Sequence, residues 1–451
     1  MTNDMTKGNP LKIFIFFTIP LLIGNVFQQL YSMVDTIIVG RFVGVNALAA
    51  VGSTGSMFFV INGMIMGLTS GFAVLVAQKF GAKDEDGLKK AVASNIILTI
   101  TLTIIITILS VLFASTVLKM MNTPENIFED AKTYITIIFA GIITQSVYNM
   151  SAGIVRALGD SKTPLYFLII SSVINIILDL VFIVNFKMGV AGAAYATNIA
   201  QGCSGILCLI YSYRKFKVLR LKKEDFKVES SYYKKHLKIA IPMSLQFSIT
   251  GIGIVIVQSA INVFGSVVIA SYTASSKVLQ LVMQPSMSFG VTVATYAGQN
   301  LGAGRIDRIK NGIKIMNKVS VVTSLIAGAT LVFFGKYFVT LFIENPTAEM
   351  FDYAQQVFNY AAAFYIPLGF IFIYRNVLQG MGYSFMPMMA GVFELTARSA
   401  VSFTLPKVIG FTAICLADPV AWMAAAIPLM ITYYIKMKKI NMENNELGMA
   451  L

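Results

Sequence analysis

The sequence predicts an all-α integral membrane protein of twelve transmembrane helices in two pseudo-symmetric six-helix bundles. Three observations carry that prediction. Hydrophobic residues make up 56% of the chain and charged residues only 12%, with a mean hydropathy of +0.74, whereas soluble domains are about 25% charged. Charge-free runs are long, 38 positions over residues 239–276 and 37 over residues 42–78. Each holds one long helix or two short ones, since a bilayer takes about 20 apolar residues per crossing. Finally, polar loops recur at a nearly constant offset along the chain.

Charge clusters and Gly, Pro and Asn turns set the spans in order. The first runs over 13–38, between Lys12 and Arg41, and the second over 46–77, ahead of the basic loop that starts at Lys79. The third, 91–118, and fourth, 133–155, are bracketed by Lys90 and Lys119 and by Lys132 and Arg156. Pro164 opens the fifth, 164–186, and Gly189 the sixth, 189–213. The second set reads 239–262, 266–296, 315–335, 353–378, 387–406 and 412–435. The domains are therefore an N-terminal lobe at 1–213, a basic linker at 214–238 and a C-terminal lobe at 239–451.

With the N-terminus cytoplasmic, the inside segments carry 25 basic residues and the outside segments 6, while the remaining 4 of 35 sit in or beside spans. That asymmetry places both termini inside and the chain in the cell membrane as a multi-pass protein. The formal charge of +14 thus reads as orientation, not as a nucleic-acid-binding face. The stretch 214–238 includes the sole histidine, His236, and is too short for a domain of its own. It reads as a cytoplasmic connector. Cys203, Cys208 and Cys415 fall in apolar segments, with a number and spacing that suit neither disulfides nor zinc. The N-terminus shows no small-residue cleavage site before its apolar run, so the first helix is expected to stay.

The duplication is written in the loops. Gln78, Gly81 and Ala82 return as Gln299, Gly302 and Ala303 at an offset of 221, and Gly159, Ser161 and Pro164 return as Gly382, Ser384 and Pro387 at 223. Six spans per repeat is an even number, so the two halves share orientation and relate by an axis along the membrane normal.

A charge within a span costs about 2.5 to 3.5 kcal/mol on insertion scales and demands a partner or a role. The first half holds Asp35 and Asp179 in its spans with no base, whereas the second sets Glu394 and Asp418 against Lys277, Arg375 and Arg398. Asn175 and Asp179 stand four residues apart on one helix face and offer oxygen ligands at one height. With Asp35 they can form an oxygen-only site for Na+ or a proton; a purely structural role in hydrogen bonds to neighbouring Asn, Ser or Tyr is the alternative. Glu394 and Arg398, also four apart, read as a structural ion pair or, with Lys277, as a secondary polar pathway, with Lys277 and Arg375 in a wet cavity and Asp418 facing water near a helix end.

Gly63, Gly67 and Gly71 form a double GxxxG that signals close helix packing. Pro20, Pro242 and Pro285 are candidate kinks. The run Asp84-Glu85-Asp86 lacks calcium-loop spacing and reads as a helix cap. No HExxH, Walker loop or GxSxG is present, and Gly251-x-Gly253 lies inside an apolar span, so an enzyme is not expected.

The segments GNVFQQLYSMVDTIIVGRFVG, VAQKFGAKD, RALGDSKTPLYF, TYAGQNLGAGR and LADPVAW together resemble the bacterial multidrug and toxic compound extrusion (MATE) family, from about Pro10 to Lys438. The resemblance implies a secondary antiporter that exchanges Na+ or H+ for amphipathic, cationic organic compounds by alternating access, without a bound cofactor and as a monomer in the bilayer. It also implies a cation site of Asp35, Asn175 and Asp179 with the Ala193 carbonyl and the Thr197 hydroxyl; Asp35, Asn175, Asp179 and Thr197 would be the Na+ ligands if sodium is the coupling ion. The acidic ligands that some relatives place on the seventh and tenth helices have no counterpart here. A flippase for lipid-linked saccharides or precursors, from the same exporter superfamily, is the alternative; its diphosphate cargo would call for unpaired bases that the first lobe lacks.

Overall fold

A computed structural model describes residues 4–343 and 346–449, so the outer limits of the predicted lobes, 1 and 451, lie outside the described residues. The helices run α1 (Pro10–Phe42), α2 (Val45–Ser53), α3 (Gly55–Gly81), α4 (Glu85–Met120), α5 (Glu125–Ala140), α6 (Ile142–Ala157), α7 (Lys162–Asp179) and α8 (Gly189–Lys215). The chain continues with α9 (Ser230–Ile261), α10 (Ser266–Val282), α11 (Gln284–Gly302), α12 (Ile306–Val339), α13 (Ala348–Ala363), α14 (Tyr365–Gly380), α15 (Phe385–Thr404), α16 (Pro406–Ile409) and α17 (Phe411–Met449). Among the described residues, nine helical rods are long and apolar enough to cross a membrane, and the bent pairs α5–α6 and α13–α14 supply two more. Helix α15, 20 residues long, reaches about 30 Å and completes twelve. Its buried Glu394 and Arg398 make it the more polar kind of span.

Two of the expected single spans are broken, by 43° between α5 and α6 and by 53° between α13 and α14. At the first break Gly141 lacks a Cβ that would collide with the Asn198 amide, and Asn198 Nδ2 donates to the Ile137 carbonyl at 2.7 Å. The side chain adds a second donor to an oxygen at the break that the Gly141 N–H also reaches at 3.1 Å.

The chain divides into two units, Ile19–Phe247 with the preceding Asp4, and Met5–Thr18 with the chain from Ser248 onward. Both α1 and α9 contribute residues to each unit. The expected connector 214–238 is shorter in the structure. Helix α8 continues to Lys215, short 3₁₀ turns cover Lys217–Leu219 and Lys223–Phe226, and α9 already begins at Ser230. His236 is consequently not in a solvated loop. It is fully buried, with Nε2 3.1 Å from the Ala91 carbonyl and its ring edge-on to Phe72.

In the first unit the glycine stripe of α3 does what its spacing predicts. A Cβ on Gly67 would sit 2.5 Å from Ser244 Cα, one on Gly71 2.5 Å from Ala240 Cα, and one on Gly63 3.0 Å from Phe247 Cβ. Backbone therefore packs on backbone. Asp84 is the N-cap of α4, accepting from the Gly87 N–H at 2.8 Å and from Lys79 Nζ at 2.6 Å, which holds its carboxyl below the usual range. Of the three prolines, Pro20 and Pro242 lie inside α1 and α9, while Pro285 opens α11 where α10 has ended.

The backbone repeats as the loops do. Left-handed conformations at Gly44 and Lys83 recur at Gly265 and Gly304, and those at Gly159 and Lys187 recur at Gly382 and Gly410. These pairs keep the sequence offsets of 221 and 223.

Candidate cation site

Three helices of the first unit each contribute a polar pair four residues apart, so each presents two groups on one face. Helix α1 supplies Tyr31 and Asp35, α7 supplies Asn175 and Asp179, and α8 supplies Thr197 and Gln201. Helix α5 adds Tyr134. Asp179 is the last residue of α7 before the backbone widens into a π-turn at Leu180–Asn185, a distortion that often marks working sites. Gly192 lets α8 approach that turn, because a Cβ there would stand 3.1 Å from Phe182 Cβ.

The carboxyl groups of Asp35 and Asp179 lie beside one another. Asn175 Nδ2 donates to Thr197 Oγ1 at 3.4 Å, and Tyr31 lies near Thr197 and Gln201. Asp179 and Asn175 are fully buried, while Asp35 and Thr197 are half-buried. Neither aspartate is among the carboxylates held by a Lys or Arg in the described residues.

The acceptors outnumber the donors. Oδ1 of Asp35, Oδ1 of Asn175, both oxygens of Asp179 and Oε1 of Gln201 are buried without a hydrogen-bond partner. Buried acceptors left bare cost about 1 to 3 kcal/mol each, and two apposed carboxylates repel. A hard cation or a proton removes both penalties, and oxygen-only donors are the set that suits either. The residues present therefore fit a hard cation or a proton.

The structure thus brings Asp35, Asn175, Asp179 and Thr197 together. Ala193 is fully buried in the adjoining apolar cluster with Val34, Ile38, Tyr134 and Ile183. Tyr31, Tyr134 and Gln201 escaped the sequence reading. The spacing of Tyr31 to Asp35 and of Thr197 to Gln201 was the available signal for two of them.

The same family model, MatE, matches the chain twice, over residues 20–181 and 239–404. The chain belongs to the MATE family. A probable multidrug resistance protein of Bacillus subtilis, YpnP, is 30% identical over 383 residues, covering 84% of each chain. The multidrug export protein MepA of Staphylococcus aureus is 21% identical over 98% of this chain and 97% of its own. A solved structure described as the outward-facing conformation of a multidrug resistance MATE family transporter of the MOP superfamily superposes with a TM-score of 0.90 at 22% identity, covering 97% of this chain and 98% of that one. At that identity it speaks for the fold. MATE proteins are transporters and not enzymes, and this chain is a membrane transporter.

The second unit of this MATE transporter handles its charges differently. The expected Glu394–Arg398 pair along one helix does not form. Glu394 instead pairs with Arg375 of α14, and Arg398 Nε donates to Asp418 Oδ1 of α17 at 2.8 Å. Side chains this long reach the next helix as readily as the next turn. Arg375 is thus buried in an ion pair and not in a wet cavity, Asp418 has a partner, and Lys277 stands exposed on α10.

Proposed function

We propose that the chain is a cation-coupled secondary antiporter that exports amphipathic organic cations from the cell by alternating access. The observation that carries this reading is the set of bare, buried acceptor oxygens around Asp35 and Asp179, which no base neutralises. Asp35, Asn175, Asp179 and Thr197, with the Ala193 carbonyl beside them, hold the coupling ion, Na+ or H+. When the ion leaves, the exposed pair of carboxylates favours an organic cation; when it returns, the cation is released. That competition is the coupling.

The names of the relatives, multidrug resistance and multidrug export proteins, support a broad range of substrates. The excess of basic residues in the segments between alternate spans supports a location in the cytoplasmic membrane with both termini inside. The site is assembled from one chain, consistent with a working monomer. A lipid-linked diphosphate is a poor cargo for it, since its charged walls are acids only.

Asp35→Asn and Asp179→Asn each test the reading in everted vesicles loaded through a fluorescent cation. Both should abolish accumulation at unchanged expression, and unchanged transport in both variants would exclude the assignment.

A further inference from the structure

The repeat places the residues of the cation site against named counterparts. Helices α7 and α15 begin at Lys162 and Phe385, the same offset of 223 that relates their loops. In that register Asn175 corresponds to Arg398 and Asp179 to Ser402. Where the first unit sets an amide and an acid, the second sets a guanidinium and a hydroxyl.

The hydrogen-bond deficit inverts with the residues. In the first unit the bare groups of the site are acceptor oxygens; in the second, Arg398 Nη1, Arg375 Nε and the Ser402 hydroxyl are buried without partners. Both arginines are more than nine-tenths buried. Each is anchored through one nitrogen only, Arg375 by Nη2 to Glu394 and Arg398 by Nε to Asp418, which leaves the rest of the fork for another acceptor. Gly253 of α9 backs Arg398, and a Cβ there would collide with Nη1. The glycine inside this apolar span makes room for a guanidinium.

We propose that the second unit holds a subsite, centred on Arg398, for the carboxylate of a zwitterionic amphiphile. The inference rests on the export reading above and adds a substrate class to it. The adjoining cavity, lined among others by Tyr272, Asp418 and Trp422, is about one water in size, so the carboxylate enters by exchange. Arg398 passes from Asp418 to the incoming carboxylate, and Asp418, whose side chain is 36% exposed, takes the cationic centre of the same molecule. The two ion pairs swap partners and the net charge within the unit does not change. A simple anion would leave Asp418 uncompensated, and a simple cation would find no free acid there.

The test uses the purified full chain and one fluorophore in two forms, tetramethylrhodamine as the free carboxylate zwitterion and its methyl ester as the cation. Fluorescence anisotropy gives the Kd of each. Arg398→Gln should weaken the acid about tenfold or more, the loss expected for one charge-assisted contact, and should not weaken the ester, because the freed Asp418 favours a cation. Gly253→Ala and Arg398→Lys keep the positive charge and disturb only the fork, so they carry the test if Arg398→Gln does not fold, again with loss confined to the acid.

Equal weakening of acid and ester would make Arg398 a structural residue and overturn the proposal, as would an unchanged Kd for the acid. Competition by chloride or acetate as potent as that by the acid would assign the donors to a free anion and overturn it too. Failure of the antiport reading is separately visible. In that case the ester is not driven by an ion gradient in the unaltered protein, whatever the ratio of the two affinities.

Discussion

At the scale of single residues, the chain shows why a buried carboxylate needs its partners identified before a role is assigned. Asp160 is as buried as many core residues, yet it accepts from the backbone N–H groups of Lys162 and Thr163 at 3.0 Å, from the Thr163 hydroxyl at 2.6 Å and from Lys215 Nζ at 2.6 Å. Burial by itself raises its carboxyl, but the Lys215 and Thr163 hydrogen bonds outweigh it and leave the group below the usual carboxylate range. A depressed folded-state value means that the stabilisation is present above the ordinary value, about 3.9, and is lost as pH falls through the folded one. Asp160→Ala should therefore lower unfolding stability by about 2 kcal/mol near neutrality, and the difference from the unaltered protein should shrink when thermal unfolding is followed below about pH 4. Asp35 and Asp179 have the opposite surroundings, with no donor and no base, and were legible in the sequence for that reason. An acid in a charge-free span is rare enough to stand out. Tyr31 and Gln201 were marked only by their four-residue spacing, a weak signal because neutral polar side chains are common in membrane helices and the packing of three helices shows which of them face one another.

At the scale of elements, local spacing predicted contacts where backbone decides them and failed where long side chains do. The glycine stripe of α3 is the first case. Gly67→Leu and Gly71→Leu should each destabilise the purified protein by about 2 kcal/mol or more in thermal unfolding, since the added atoms meet the backbone of α9 at 2.5 Å. Gly63→Ala, facing a side-chain carbon at 3.0 Å, should cost less. Glu394 and Arg398 are the second case. A helical pair four residues apart contributes only about 0.5 kcal/mol, and partners on α14 and α17 take its place. The bends at Gly141 and Phe364 also escaped the sequence reading. A run of apolar residues carries no mark of a 43° turn when the group that stabilises it, Asn198, comes from another helix.

At the scale of the whole molecule, one duplicated scaffold carries two unlike sets of charges. The repeat is exposed in its loops and in its left-handed turns, while the interior positions have diverged to acceptors in one half and to neutralised pairs in the other. Reconstituted in proteoliposomes, the protein should drive uphill movement of an organic cation under an imposed Na+ gradient or pH gradient, and Asp179→Asn should remove that drive. Movement that only ever follows the gradient of the organic cation itself would mark a passive pathway and overturn antiport.

The sequence by itself determined the membrane environment, the twelve spans, the duplication and the isolation of Asp35 and Asp179, because hydropathy, loop composition and the scarcity of charge are properties of the chain read in one dimension. Tertiary structure alone decided which polar groups share a site, which charges pair and where a span bends. These depend on side chains from helices distant in sequence meeting in a medium without water, where each donor or acceptor takes whatever partner the packing brings within reach.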